Sequence, residues 1–561
     1  MRKNESTAKE FIRSLRGVFG MSLRQAPPTD SFAYLENMYV DYESGGEGVE
    51  SIPGYRKILS TSGRIHSLCH QITADGKFLI IHSGGNLYRI PSEETDFTEK
   101  PLPIATISDK DGIAFAFGSL VFVNDGSALY LINGAGEVIK ISDEPFAVSC
   151  RKMALFNGRL FLACGDFRDR IYYSERISKS CAKLSCDSYI SISSPGAEVS
   201  GLLSYGGRLW VFKSADDGDG GILSYKTEGE DYTLERVFSA ISCTGEAIGF
   251  GDEIILTTPE GVYAIESPTS IVDARIVCRS CDIAPMLLRE ELKGATLTLW
   301  RGYLALCLGE HIYLLDKRGR GKGRWYFLSG IGGYKNDRRV YRYSPVAEEG
   351  YEAYSNPHAT AEGEVIGLVT EDGRSIYYES REGRKYALYP TPELTGGELI
   401  PPRLTLSYGV SLWFCSGEGD LFLFNRGNKR DNPDFYSFAG HAPRYMAVFR
   451  PDDCDIPELT KSSVGGSLML KLKTLPGSKA KVQVSADGKE VCSYTISSAE
   501  LGFMDVDFGN LSVSAYGYCS ATLPERACGW YEKQITLSSE EYSSPFGLCG
   551  VSYRYRIKDG S

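Results

Sequence analysis

A chain of 561 residues with a formal net charge of −11 is too long for one ordinary core and lacks the basic surface with which a general nucleic-acid binder neutralises phosphates. No run of about 18 apolar residues occurs, which excludes a membrane-spanning helix, while 61 glycines, 35 tyrosines and 25 phenylalanines suit many short strands and tight turns. The 15 cysteines are odd in number and irregularly spaced, and Cys164, Cys307 and Cys415 fall inside apolar strand patterns, so the thiols read as reduced and the protein as assembled in a cytoplasm.

The opening MRKNESTAKEFIRSLRGVFGMSLRQ carries charges throughout and has no uninterrupted apolar core of a secretory signal. Phe11, Leu15, Val18 and Phe19 fall at helical spacing with Lys9, Arg13 and Arg16 on the other faces, and Pro27-Pro28 stops the pattern. Residues 1–30 therefore read as an amphipathic helical arm that docks on a partner or across its own body. From Phe32 alternating apolar residues lead through a glycine-rich turn, Gly45-Gly46-Glu47-Gly48, into Ser51-Ile52-Pro53-Gly54-Tyr55-Arg56.

A repeat follows. An aliphatic residue precedes an aromatic one at Leu87-Tyr88, Leu129-Tyr130, Ile171-Tyr172, Leu223 to Tyr225, Val262-Tyr263, Ile312-Tyr313, Ile376-Tyr377 and Leu421-Phe422, mostly at the roughly 40 to 50 residues of one propeller blade. A second apolar run lies upstream of most of them: Phe78 to Ile81, Leu120 to Val123, Leu160 to Ala163, Leu209 to Phe212, Ile254 to Leu256, Leu304 to Leu308 and Leu412 to Phe414. Each pair reads as a hairpin, with turn residues such as Asn157-Gly158 and Gly206-Gly207 that accept positive φ. One hairpin cannot bury its face alone, whereas a radial array buries each against the next. The expectation is an all-β fold: a β-propeller over residues 31–432, of seven blades with six or eight as alternatives.

Two interruptions fall within it. Residues 282–293 carry a short helical pattern with Pro285 in its first turn, and residues 317–363 break the repeat. After Asn432 the prolines 433, 443 and 451 mark a boundary. Beyond them 467–475, 479–496, 531–537 and 550–558 alternate strictly, which predicts a small antiparallel β-sandwich over 433–561 with a polar face that includes Arg554, Arg556 and Lys558.

Asn37-x-Tyr39-x-Asp41, the acidic glycine turn and the Pro53-Gly54-Tyr55-Arg56 step, set ahead of a propeller, resemble the start of packaged-DNA stabilisation proteins, the head-to-tail or tail accessory factors of short-tailed bacteriophages. The resemblance implies a virion structural protein of the neck or tail, assembled in the host cytoplasm. It implies a homo-oligomeric ring that extends the portal channel, contacts portal, adaptor or tail subunits, helps retain packaged DNA and uses no cofactor and no membrane. A tail-tip or baseplate receptor-binding role, a carbohydrate-active propeller hydrolase with a sugar-binding sandwich, and a bacterial scaffold propeller are the alternatives.

No catalytic or metal constellation is expected. The six histidines are scattered, and His66 and His70 lie about 13 Å apart along one strand face. Cys278-Arg279-Ser280-Cys281 is a lone C-x-x-C without its second half. Asp216 to Gly220 lacks the distal glutamate of a calcium loop and reads as a solvated hairpin tip. No nucleophile elbow, phosphate-cradling loop or repeated sialidase element occurs, so the chain is read as a non-enzyme.

The sharpest charge contrast is KRGRGKGRWYFLSGIGGYKNDRRVYR, 317–342. Lys317, Arg318, Arg320, Lys322, Arg324, Lys335, Arg338, Arg339 and Arg342 stand against the single acid Asp337, with aromatic residues between them. Such a segment suits the acidic rim of a ring-shaped partner or the phosphates of DNA held near a portal; the bland reading is a loop neutralised by Glu348, Glu349, Glu352, Glu362 and Glu364.

Overall fold

The computed structural model describes residues 9–14, 20–24, 31–43, 45–93, 97, 100–178, 184–192, 197–214, 220–239, 241–270, 273–318, 323–346, 363–365, 376–380, 385–417, 419–426, 433–464, 468–473, 475, 478–497, 518–542 and 544–557. Seven four-stranded antiparallel sheets form a closed β-propeller. Its blades 1 to 6 occupy 65–106, 113–142, 150–191, 199–239, 247–278 and 296–328, and blade 7 occupies 404–424. The first strands of successive blades adjoin around the channel, and that of blade 7, Leu404–Tyr408, returns to that of blade 1, Ile65–Thr73. The outermost strand of blade 7 is Tyr55–Ser60, which pairs antiparallel with Asp420–Phe424. The ring is thus fastened by chain segments some 360 residues apart in sequence.

The repeat in the sequence marks the third strand of every blade, and the run upstream of it marks the second. Ile376-Tyr377 is the exception: it lies in a separate four-stranded sheet, in the order Arg338–Val346, Lys385–Thr395, Ile376–Ser380, Gly363–Val365, inserted between blades 6 and 7. Second strands are buried on both faces, as in Leu209 to Phe212 or Tyr303–Leu308, because each blade is sandwiched by two neighbours. One apolar cluster fills each gap: Phe122, Leu131 and Leu160 between blades 2 and 3, Phe161, Leu209 and Leu223 between 3 and 4, Ile255, Leu304 and Leu306 between 5 and 6. Each side chain of this kind contributes about 1.5–3 kcal/mol on burial.

The sandwich pairs a sheet containing Leu468–Lys473, Lys461–Ser463 and Gly547–Ile557 with a five-stranded sheet in the order Tyr34–Glu36, Tyr445–Val448, Lys533–Ser539, Lys479–Ala486, Lys489–Ser497. Arg554 and Arg556 are exposed, whereas Lys558 lies outside the described residues. No described helix is long and apolar enough to cross a membrane.

Three expectations need correction. The N-terminal arm is not helical over its described part: Lys9–Ser14 is a strand in register with Gly550 to Tyr555, and Phe11 stacks on Tyr553 with ring centroids 4.7 Å apart. An open sheet edge offers six residues' worth of unpaired backbone, which outweighs weak helical spacing; Leu15, Val18 and Phe19 lie outside the described residues. The sandwich is not confined to 433–561, because Tyr34–Glu36, Met38–Tyr39 and Val49–Ser51 supply strands to both of its sheets. The basic segment is not wholly an insertion, since Arg324–Leu328 is the outer strand of blade 6. The short helical pattern within 282–293 is present as the helix Ala284–Leu287, with Pro285 in its first turn.

Candidate partner interface

The segment that carries the family resemblance is the weld between sandwich and propeller. Asn37 takes a left-handed backbone, φ 56°. Its amide donates to Arg444 O at 2.8 Å, and its Oδ1 accepts from Ser329 N at 2.9 Å, so one side chain ties both modules at a turn that asparagine tolerates. Buried Tyr39 accepts at its hydroxyl from Arg301 of blade 6 at 3.0 Å, and Asp41 closes the following turn by accepting Glu43 N at 3.0 Å. At Gly54 a Cβ would stand 1.9 Å from Ser437 O, so only glycine fits. Tyr55 is fully buried against Phe414, Phe424 and Phe438. Its hydroxyl accepts from Gly332 N and donates to Gly332 O, both at 2.9 Å, and burial pushes its pKa far above the ordinary tyrosine range.

The basic run is divided among different environments. Lys317 pairs with Glu253 at 3.0 Å and Asp252 at 3.4 Å, both in blade 5. The Arg318 guanidinium donates to Asp316 at 2.9 Å and lies 3.6 Å over the Tyr42 ring and 4.3 Å over Tyr303. Both therefore fasten the body together. Arg324 sits half-buried on the outer strand of blade 6 and Lys335 half-buried on Gly333–Lys335, which pairs with Glu398–Ile400. Arg338, Arg339 and Arg342 occupy the strand Arg338–Val346 of the inserted sheet; Arg320 and Lys322 lie outside the described residues, as do Glu348, Glu349, Glu352 and Glu362. Of the interleaved aromatics, Trp325, Tyr326 and Phe327 are buried.

Sequence patterns missed a set of ion pairs at the channel mouth. Arg403, just before the first strand of blade 7, pairs with Asp111 ahead of blade 2 at 2.8 Å, bridging across blade 1. Lys152 in blade 3 reaches Glu246 ahead of blade 5 at 3.1 Å, bridging across blade 4. His66 completes the first group, its two ring nitrogens 2.8 and 2.9 Å from Asp109 and Asp111. No local signal announces these contacts, because each pair is drawn from blades that are not neighbours. His70 instead stacks on Tyr408 with centroids 3.9 Å apart.

The described cysteines are free thiols, and burial raises Cys307 and Cys415 to about 12, which keeps them protonated and inert. In the lone C-x-x-C, Arg279 is buried between Glu253 and Glu266. Among the described residues no group of His, Cys, Asp and Glu is arranged to hold a metal ion; residues 215–219, with the aspartates of the hairpin tip, are outside them.

Fold and site together define a closed seven-bladed β-propeller welded to a β-sandwich through its N-terminal segment. No protein-family model matches the chain, and no curated protein sequence does. Solved structures similar to it include streptogramin B lyase, at 10% identity over 67% of this chain and 98% of that one with a TM-score of 0.38. BamB from Moraxella catarrhalis matches at 11% identity over 62% and 92% with a TM-score of 0.33, and the N-terminal domain of Nup159 at 10% over 70% and 98% with 0.31. Likenesses at this level carry no argument about activity.

Proposed function

We propose that the chain is a structural protein of a tailed-phage or prophage particle, placed at the head-to-tail neck or tail and acting by subunit binding rather than by covalent chemistry. The observation that carries the reading is that Asn37, Tyr39, Gly54 and Tyr55, four of the residues bearing the resemblance, serve the weld between propeller and sandwich. The similarity therefore tracks a two-module rigid body, and a rigid body is what an assembly platform needs. Portal, adaptor or tail subunits are its partners in this reading, and copies of the chain form a ring.

Immuno-electron microscopy of particles induced from the source culture, with an antibody against this chain, tests the proposal. Label at the neck or tail vertex is the expected result. Unlabelled particles with the protein left in the soluble fraction would overturn it.

A further inference from the structure

The outer rim between blades 3 and 4 holds an open cleft of about 560 Å³. Its walls come from the two outer strands of each blade: Arg170–Arg176 and Leu184–Ser191 on one side, Gly221–Glu228 and Asp231–Ser239 on the other. Tyr173, Tyr189, Tyr225 and Tyr232 line it, together with Ser191 and Asp231.

The rings are held in place before any ligand arrives. Tyr232 meets Phe161 edge-on at 5.1 Å and Tyr173 at 5.1 Å, which anchors it to the core between the blades. Arg170 lies 4.7 Å over Tyr189 and is itself fixed to Asp169 at 2.8 Å. Tyr225, 4% exposed, forms the floor. Packing explains the aromatic faces but not the hydroxyls, since phenylalanine would fill the same space. Among the described residues none of the four tyrosine hydroxyls has a hydrogen-bond partner, and neither does Ser191 Oγ or the Asp231 carboxylate.

Flat apolar faces alternating with unpartnered hydroxyls and one carboxylate match a polyhydroxylated ring. A sugar lays its C–H face on tyrosine and presents hydroxyls that both donate and accept, and a carboxylate takes two neighbouring hydroxyl protons at once. A purely apolar ligand leaves these polar groups unpaired, which is costly. A polyanion meets Asp231 beside exposed Glu228 and Glu230. The geometry points to a binding subsite for a short neutral oligosaccharide in the cleft between blades 3 and 4. Tyr189 and Tyr173 are its stacking platforms and Asp231 its hydroxyl acceptor. The inference stands apart from the virion reading, because the cleft belongs to the single chain.

The test is isothermal titration of the full-length protein with cellohexaose, N-acetylchitohexaose and maltohexaose, followed by an array of bacterial surface glycans. Saturable binding of at least one neutral glycan is expected. Tyr189→Ala should weaken it about tenfold, the scale of one aromatic contact, whereas Tyr189→Trp retains it, and Asp231→Asn weakens binding by a similar factor. Tyr189 is 39% exposed and Asp231 is exposed at a hairpin turn, so neither change excavates a core, and circular dichroism checks that both variants are folded. Absence of binding to the three probes and to every neutral glycan on the array overturns the proposal. Binding that survives both Tyr189→Ala and Asp231→Asn overturns it equally, since the ligand would then sit elsewhere.

Discussion

At the scale of single residues, the sandwich depends on charges withdrawn from water. Lys473 and Glu50 are 2.7 Å apart with side chains 0% and 1% exposed, and they join the strand Leu468–Lys473 to the N-terminal Val49–Ser51 around Gly547–Ile557. Desolvation makes such a pair neutral or worse against an apolar replacement, but removing one partner strands the other. Lys473→Met is therefore expected to cost about 3–5 kcal/mol, read as a lower urea midpoint, and the double variant Lys473→Met/Glu50→Leu to recover most of the loss. A single variant as stable as the parent would show that Glu50 finds water or another donor. His70 supplies a pH signal. Burial pulls its imidazole from 6.5 down to about 4. Above 6.5 it is neutral whether folded or not. Between 6.5 and about 4 the unfolded chain binds a proton that the folded chain refuses, so stability falls as pH is lowered through that window. In His70→Gln this part of the decline should vanish, which melting curves taken across the window will measure.

At the scale of elements, the strand Lys9–Ser14 fills one edge of Gly547–Ile557, with Val49–Ser51 continuing along the same edge. Its outward Ile12 is 69% exposed, so its contribution is mostly backbone pairing plus the Phe11 ring. Deleting residues 1–14 is expected to leave the protein folded while baring a six-residue edge that recruits other strands. Light scattering after size exclusion should then show concentration-dependent oligomers above those of the full chain, and an unchanged mass would rule out this role for the arm. The same strand illustrates which elements a sequence reveals. Second and third blade strands were legible because burial on both faces demands apolar runs, as in Leu120 to Val123. First strands were not: Val199–Tyr205 mixes Ser200, Gly201 and Ser204 with two leucines and is only partly buried, so no apolar run marks it. Fourth strands such as Val138–Ser142 have no fully buried residue and carry little signal. The inserted sheet borrowed the repeat's own dipeptide at Ile376-Tyr377 and so passed for a blade. Of the proposed interface, the charge contrast of 317–342 was visible but its division was not, since Lys317 and Arg318 are consumed by Glu253, Asp316 and Tyr42, partners fixed only by tertiary structure. The tyrosine cleft left no pattern at all, because its walls come from four strands of two blades.

At the scale of the molecule, propeller and sandwich share one core. Trp300, Tyr303, Phe414 and Phe424 of blades 6 and 7 belong to the same cluster as Leu470, Val482, Leu537 and Val551 of the sandwich, with Tyr39, Ile52 and Tyr55 between them. The chain also enters the sandwich first, closes the propeller with Tyr55–Ser60 only after leaving it, and returns to the sandwich after blade 7. Neither module is a contiguous stretch that can complete itself while the other is unfolded: melting the sandwich releases the segment that holds blade 7, and opening blade 7 uncovers Tyr55. Separate domains joined by a polar linker melt in separate steps, whereas interlocked ones lose their contacts together. Differential scanning calorimetry is thus expected to give a single endotherm, and cutting the weld by Gly54→Ala, which forces a Cβ against Ser437 O, should split or broaden it. Two resolved transitions in the unmodified chain would mean that the shared cluster is contact without coupling, and the weld would then hold the modules in place without making them one cooperative unit.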